Sequence, residues 1–215
     1  MKELLDGKDV VIVGPSKTLI GTGSGQYIDS FDTVIRMNKS VPLNKELTGD
    51  IGSRTDILYH CLDEPTKSKV NVDNYLEEDI KSVVCSYPPL PFTKPNINKF
   101  NVMNKGRLPF RTTDLKVYNE LEKKIKTRPN TGLLTLVDVL AHDVKSVYLT
   151  GFCFYRNFYY GGYSTIKEKD YSKVAESPAH DQDKQMAYWA ELYKQDSRIH
   201  VDDVLEDLFE QEGLL

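Results

Sequence analysis

His180 is the side chain in this sequence best suited to moving a proton. The chain has four histidines. His60 and His142 sit in apolar segments and His200 alternates within a strand-like run, so all three read as structural. His180 instead begins a helical stretch, "HDQDKQMAYWAELYKQD" (180–196). The partial positive charge at a helix start favours the neutral imidazole that a general base must present. A surface loop histidine or a simple helix cap would read the same way.

A second group of candidates lies in "DVVIVGPSKTLIGTGSGQYIDSFDTVIRMN" (9–38). Gly14 permits a sharp turn after an apolar run, Pro15 fixes φ, and Ser16 offers a hydroxyl and a backbone N–H. Asn38 closes the next apolar run. In a parallel sheet both strand ends lie on one edge, where ligands bind, so Ser16 and Asn38 can converge on one ligand. Read blandly, they are two turn residues. Gly21, Gly23 and Gly25 come too late after the strand for a dinucleotide fingerprint, and no Gly-Lys-Ser/Thr follows to make a P-loop. They read equally well as a flexible turn.

The elements that must carry these residues alternate. Short β-branched runs at 9–14, 32–37, 55–60, 81–87, 145–152 and 198–202 read as strands. Helical patterns fall at 112–126, capped by Thr113 or Asp114, at 131–143, apolar nearly all round, at 180–196, and at the C-terminus. This order predicts a single α/β/α sandwich on a mostly parallel sheet. The segments 88–111, rich in Pro and Asn, and 154–179, rich in Tyr, are non-periodic and read as lid or binding loops.

Composition narrows the function. The 215 residues fit one domain, and a net charge of −4 gives no general basic surface for nucleic acid. No apolar run reaches the roughly 20 residues of a membrane span. The N-terminus has no apolar signal core. Cys61, Cys85 and Cys153 show no metal-type spacing, and an odd count makes a poor disulfide set. These features predict a cytoplasmic protein with reduced thiols. No His-x-x-x-His or paired-carboxylate metal motif stands out, and Asp181-x-Asp183 is an ordinary acidic helix start.

Taken together, "VVIVGPSKTLIGTGSGQYIDSFDTVIRMN…TGDIGSRTD" resembles the large sialyl motif of the animal-type sialyltransferases. The matching residues are Gly14, Ser16, Gly21, Gly23, Ile28, Asp29, Asp32, Val34, Arg36, Asn38, Asp50, Gly52, Ser53 and Thr55. "RPNTGLLTLVDVLAHDVKSVYLTGF" (128–152) resembles the small motif, and "AHDQDKQ" (179–185) the very small one. The aromatic run "NFYYGGY" (157–163) stands where the family has its His/Tyr-rich motif. The resemblance spans roughly 9–60 and 128–190. Pro15 replaces the family's Asn, Arg128 its Tyr, Asn130 its Ser and Gln185 its Glu. Val10 and Val144 fall where the family has its linking cysteines, which points to a bacterial or viral relative.

The resemblance implies a Rossmann-like, GT-A-like fold. It implies an inverting, metal-independent transfer of sialic acid from CMP-sialic acid to a hydroxyl of a glycan or glycolipid, with no further cofactor. On that reading His180 is the base. The CMP phosphate meets Ser16, Asn38 and Arg128, with Arg128 compensating for Pro15. The turn Asn130-Thr131-Gly132 faces the ribose or phosphate, Gly151 and Phe152 flank the cytosine, and Tyr159 or Tyr160 touches the donor. CMP-Kdo as donor, or a non-catalytic relative that binds CMP or glycan, are the alternatives.

Overall fold

The structure is a computed structural model that describes residues 1–62, 70–161, 163 and 180–215. Seven strands form one sheet: β1 Asp9–Val13, β2 Thr33–Met37, β3 Ile57–His60, β4 Ser82–Cys85, β5 Phe110–Thr112, β6 Ser146–Thr150 and β7 Ile199–Val201. Their spatial order is β5-β4-β3-β2-β1-β6-β7. Every pairing is parallel, which goes further than the mostly parallel sheet expected. Among the described residues no helix is long and apolar enough to cross a membrane.

The strand sequences are continuous apolar runs because both faces of the sheet are covered. β2, β3 and β4 are buried at every position, as parallel strands under helices on both sides must be. Val10, Ile12 and Val147 pack into the larger apolar core, and Val11 and Val13 into a smaller one on the opposite face. Val10 and Val144 are both buried in the larger core.

The chain builds β1 to β5 in one direction, then returns to place β6 and β7 on the other side of β1. The strand order therefore reverses between β1 and β6, which opens a crevice at their C-terminal ends. Backbone packing at this point is very close. A Cβ on Gly14 would sit 2.2 Å from the Gly151 carbonyl oxygen, and Gly151 itself has φ +72°.

The segment 88–111 differs from its sequence reading. It holds a helix, Lys94–Asn104, with Pro95 in its first turn, and it leads into β5. Its periodicity is hidden because one buried position is polar. Asn104 is 3% exposed, and its amide both donates to the Leu108 carbonyl and accepts the Leu108 N–H. The tyrosine-rich segment is described only to residue 161 and at Tyr163; its remainder lies outside the described residues.

Asp138, on the helix Thr131–Leu140, ties that helix to two strands. It accepts the Tyr59 hydroxyl of β3 at 2.5 Å and a two-pronged guanidinium bond from Arg111 of β5 at 3.0 and 2.5 Å. Removing the carboxylate strands a buried hydroxyl and a half-buried cation. Asp138→Ala is expected to lower the unfolding free energy by about 3 kcal/mol, read from urea titrations. An unchanged midpoint would show that the triad contributes nothing net.

Candidate active site

A cleft of about 370 Å³ occupies the crevice. The ends of successive strands supply its floor: Pro15 and Ser16 after β1, Asn38 after β2, Cys61 after β3, Tyr87 after β4, and Gly151 to Tyr155 after β6. The N-terminus of the helix Thr131–Leu140 and the start of the helix Gln182–Gln195 form its other wall.

His180 lies in this cleft just ahead of the second helix, whose N-cap is Asp181. Its Nδ1 is 2.8 Å from the carbonyl oxygen of Arg128. A carbonyl only accepts, so Nδ1 is the protonated nitrogen and Nε2 carries the lone pair. Burial holds the imidazole below its usual pKa; the Arg128 charge acts in the same direction and the Arg128 carbonyl opposes it. Desolvation is the principal cause.

Arg128 lines the cleft with its guanidinium in the corner formed by two edge-to-face rings, 4.7 Å from the centroid of Tyr87 and 4.4 Å from that of Phe92. The Tyr87 hydroxyl donates to the Pro129 carbonyl and fixes the turn that carries Arg128. The two rings hold the cation in place and leave N–H groups for an anion. No carboxylate pairs with Arg128 among the described residues.

Asn130 caps the helix Thr131–Leu140, its Oδ1 accepting the Leu133 N–H. Its own N–H goes to Oε1 of Gln185 at 2.7 Å, and its amide nitrogen lies 3.4 Å from Oε1 of Gln182. Gln185 is fully buried, so the residue that departs from the family's Glu is a clamp between two helices. An amide oxygen can accept that bond in the place of a carboxylate oxygen. Asn130 is thus a cap that also lines the cleft, beside Thr131 and Gly132 in the first turn of the helix.

Of the remaining candidates, Ser16, Asn38, Gly151 and Phe152 reach the cleft. Ser16 Oγ accepts from the Thr18 N–H and hydroxyl, which leaves its own proton to give. Asn38 has φ 49°, accepts the Cys61 N–H through Oδ1, and its side chain also hydrogen-bonds the Tyr163 hydroxyl. Gly14 and Tyr160 do not line the cleft. Gly14 is needed for the contact with Gly151, and Tyr160 is 4% exposed within the smaller apolar core. Tyr155, Tyr159 and Tyr163 line it instead.

The glycine turn also lies outside the cleft. The N–H groups of Gly21 and Gly23 donate to the carboxylate of Asp50 at 2.9 and 2.8 Å. Asp29 likewise accepts the Ser53 N–H and hydroxyl. Sequence reading missed Tyr87, Phe92, Gln182 and Trp189 as cleft residues. Trp189 shares the apolar face of the helix Gln182–Gln195 with Met186 and Ala190, a pattern that reads as core, and Tyr87 and Phe92 fall outside the stretches that carry the resemblance.

Residues 7–93 match the family model described as glycosyltransferase family 29 (sialyltransferase). The fold is similar to a mammalian sialyltransferase solved with Gal-beta-1-3GalNAc-ortho-nitrophenol, at 19% identity over 94% of this chain and 71% of that one, with a TM-score of 0.62. The chain carries a sialyltransferase-family segment on a sialyltransferase fold. Sialyltransferase CstII from Campylobacter jejuni, solved with CMP-3FNeuAc, is similar at 16% identity over 90% of this chain and 81% of that one, with a TM-score of 0.60. Cst-I from the same organism is similar at 18% identity over 92% and 77%, with a TM-score of 0.58. No curated protein matches by sequence. The resemblance read from the sialyl motifs is borne out over residues 7–93 by the family match, and the expected fold by the solved structures.

The hydrogen bond at His180 sets a spectroscopic expectation. In ¹⁵N-labelled protein at pH 7, His180 should show a protonated Nδ1 and an unprotonated Nε2, and should titrate below the ordinary value of about 6.5. Between these two values the unfolded chain takes up a proton that the folded ring refuses, so stability falls as pH drops through that window. An Nε2–H tautomer, or a pKa above 6.5, would contradict the geometry.

Proposed function

We propose that this chain transfers sialic acid from CMP-sialic acid to a hydroxyl of a glycan or glycolipid, with inversion and without a metal. The observation that carries the reading is the bond from His180 Nδ1 to the Arg128 carbonyl, which leaves an unprotonated Nε2 in the cleft that Arg128 also lines.

In this scheme Nε2 of His180 takes the proton of the acceptor hydroxyl. The hydroxyl oxygen forms a bond to the anomeric carbon from the face opposite the phosphate, and the bond from that carbon to the phosphate oxygen breaks. CMP leaves with the electron pair. The catalytic demand is a base of low pKa and a preorganised site for the charge developing on the phosphate. Arg128 supplies a cation, the first turn at Thr131 and Gly132 supplies free N–H groups, and Ser16 and Asn38 supply neutral donors. Phe152 and Trp189, 4.8 Å apart, give the base an aromatic wall beside Gly132. Tyr159 is the aromatic residue best placed to reach the donor, since it bridges to Ser16.

The acceptor side is assigned to the mouth of the cleft near Phe92, Thr93 and Asn96, within the segment 88–111. Cys85 and Cys153 are free thiols, which suits work in a reducing compartment.

The test is release of CMP from CMP-sialic acid and from CMP-Kdo, with galactoside acceptors, in EDTA. Wild type is expected to turn over CMP-sialic acid, and His180→Ala to lose that turnover by at least a hundredfold while still binding CMP. Full activity in His180→Ala would remove it as the base. Turnover of CMP-Kdo alone would change the donor. Arg128→Ala is expected to weaken CMP binding more than tenfold, since a charged hydrogen bond contributes about 1.5–3 kcal/mol. An unchanged affinity by calorimetry would take Arg128 out of the phosphate site.

A further inference from the structure

Charge is segregated along this chain. From residue 80 to residue 113 there is no Asp or Glu, against six basic residues: Lys81, Lys94, Lys99, Lys105, Arg107 and Arg111. The protein as a whole is acidic, at −4. Three of the six are neutralised in the fold, Lys81 by Asp79, Arg107 by Asp73 and Arg111 by Asp138. Lys94, Lys99 and Lys105 are exposed and carry no ion pair among the described residues.

These three lysines sit on the helix Lys94–Asn104 and its C-cap. At about 100° per residue, Lys94 and Lys105 fall on nearly the same line, with Lys99 on the far side of the exposed arc. The opposite arc is anchored by Ile97, Phe100 and Asn104, which are buried. Between the lysines stands Val102, 72% exposed, and just ahead of the helix stands Phe92, 50% exposed. The rest of the arc is neutral, with Asn98 and Asn101.

We propose that this face docks on an anionic lipid bilayer. Acidic headgroups attract the three lysines, and the apolar tips of Val102 and Phe92 enter the boundary between headgroups and acyl chains. A soluble polyanion would satisfy the lysines but leave Val102 in water, so the mixed chemistry of the face favours a bilayer. Docking of this kind is peripheral and reversible. Phe92, Thr93 and Asn96 also line the cleft, so the docked face brings the cleft mouth to the membrane surface. The inference rests on charge and exposure and stands apart from the choice of donor sugar.

The experiment is sedimentation of the full chain with vesicles of phosphatidylcholine alone and of phosphatidylcholine with one quarter phosphatidylglycerol. Wild type is expected to partition onto the anionic vesicles only, and to come off as salt is raised. The triple variant K94Q/K99Q/K105Q is expected to partition roughly a hundredfold more weakly, from about 1 kcal/mol per lysine near such a surface. V102D is expected to weaken partitioning as well. Each variant should keep the wild-type gain in melting temperature on adding CMP, which shows that fold and cleft are intact. Absence of wild-type binding, or equal binding by the triple variant, would overturn the proposal. So would heparin binding as tight as vesicle binding with V102D without effect, because the face would then read charge alone.

Discussion

The architecture turns on a contact between two backbones. Gly14 and Gly151 follow β1 and β6, the neighbouring strands on either side of the reversal in strand order. The Ser16 N–H donates to the Gly151 carbonyl, and the Gly14 N–H to the Thr150 carbonyl, so the two strand ends are laced together. Asp202 finishes the junction, accepting the Gly151 N–H and the Thr150 hydroxyl while capping the C-terminal helix. A side chain at Gly14 would push these ends apart. Every cleft residue after β1 and β6 takes its position from this junction.

The other wall is placed by polar bonds between helices rather than by apolar packing alone. Gln185 and Gln182 hold Asn130 at the start of the helix Thr131–Leu140, and the Arg128 carbonyl holds His180. The segment 128–132 is therefore gripped by the helix Gln182–Gln195, although the two are separated by more than fifty residues of chain. The same carbonyl selects the tautomer of His180, so the backbone of Arg128 and its side chain serve different ends. One orients the ring nitrogen; the other, against the rings of Tyr87 and Phe92, presents charge.

Sequence and structure agree most closely where pattern is strongest. The six expected strands, the capping of the helix Leu115–Ile125 by Asp114 and the burial of the helix Thr131–Leu140 were all readable from apolar runs and cap residues. β5 and the helix Lys94–Asn104 were not. The strand has three half-buried residues, and the helix has a buried amide where an apolar side chain would normally announce it. In the site, Ser16, Asn38 and His180 were legible because strand ends and a helix start are topological positions. Sequence left Tyr159 and Tyr160 as alternatives because a run of tyrosines carries no period from which to choose which ring turns inward; Tyr159 lines the cleft and Tyr160 lies in the core. Gln185 looked like a defect in sequence and proves to be a clamp, since the bond it makes depends on its oxygen and not on a charge.

The glycine turn shows how motif and site separate. Backbone N–H groups in such a turn form an anion cradle, and from sequence that cradle invites a phosphate. Here it is filled by Asp50 from the same motif. Asp29 does the equivalent for Ser53, and fully buried Arg36 donates to the carbonyls of Ile51 and Arg54. The motif residues thus satisfy one another's charges and dipoles, and the product is a rigid support behind β2. Rigidity there fixes the end of β2, where Asn38 takes its left-handed conformation and turns the chain beside the cleft. The glycines matter to a ligand through that chain of support. The contact we propose with the ligand falls to the elements at the reversal of strand order, where Arg128, the start of the helix Thr131–Leu140 and His180 line one cleft.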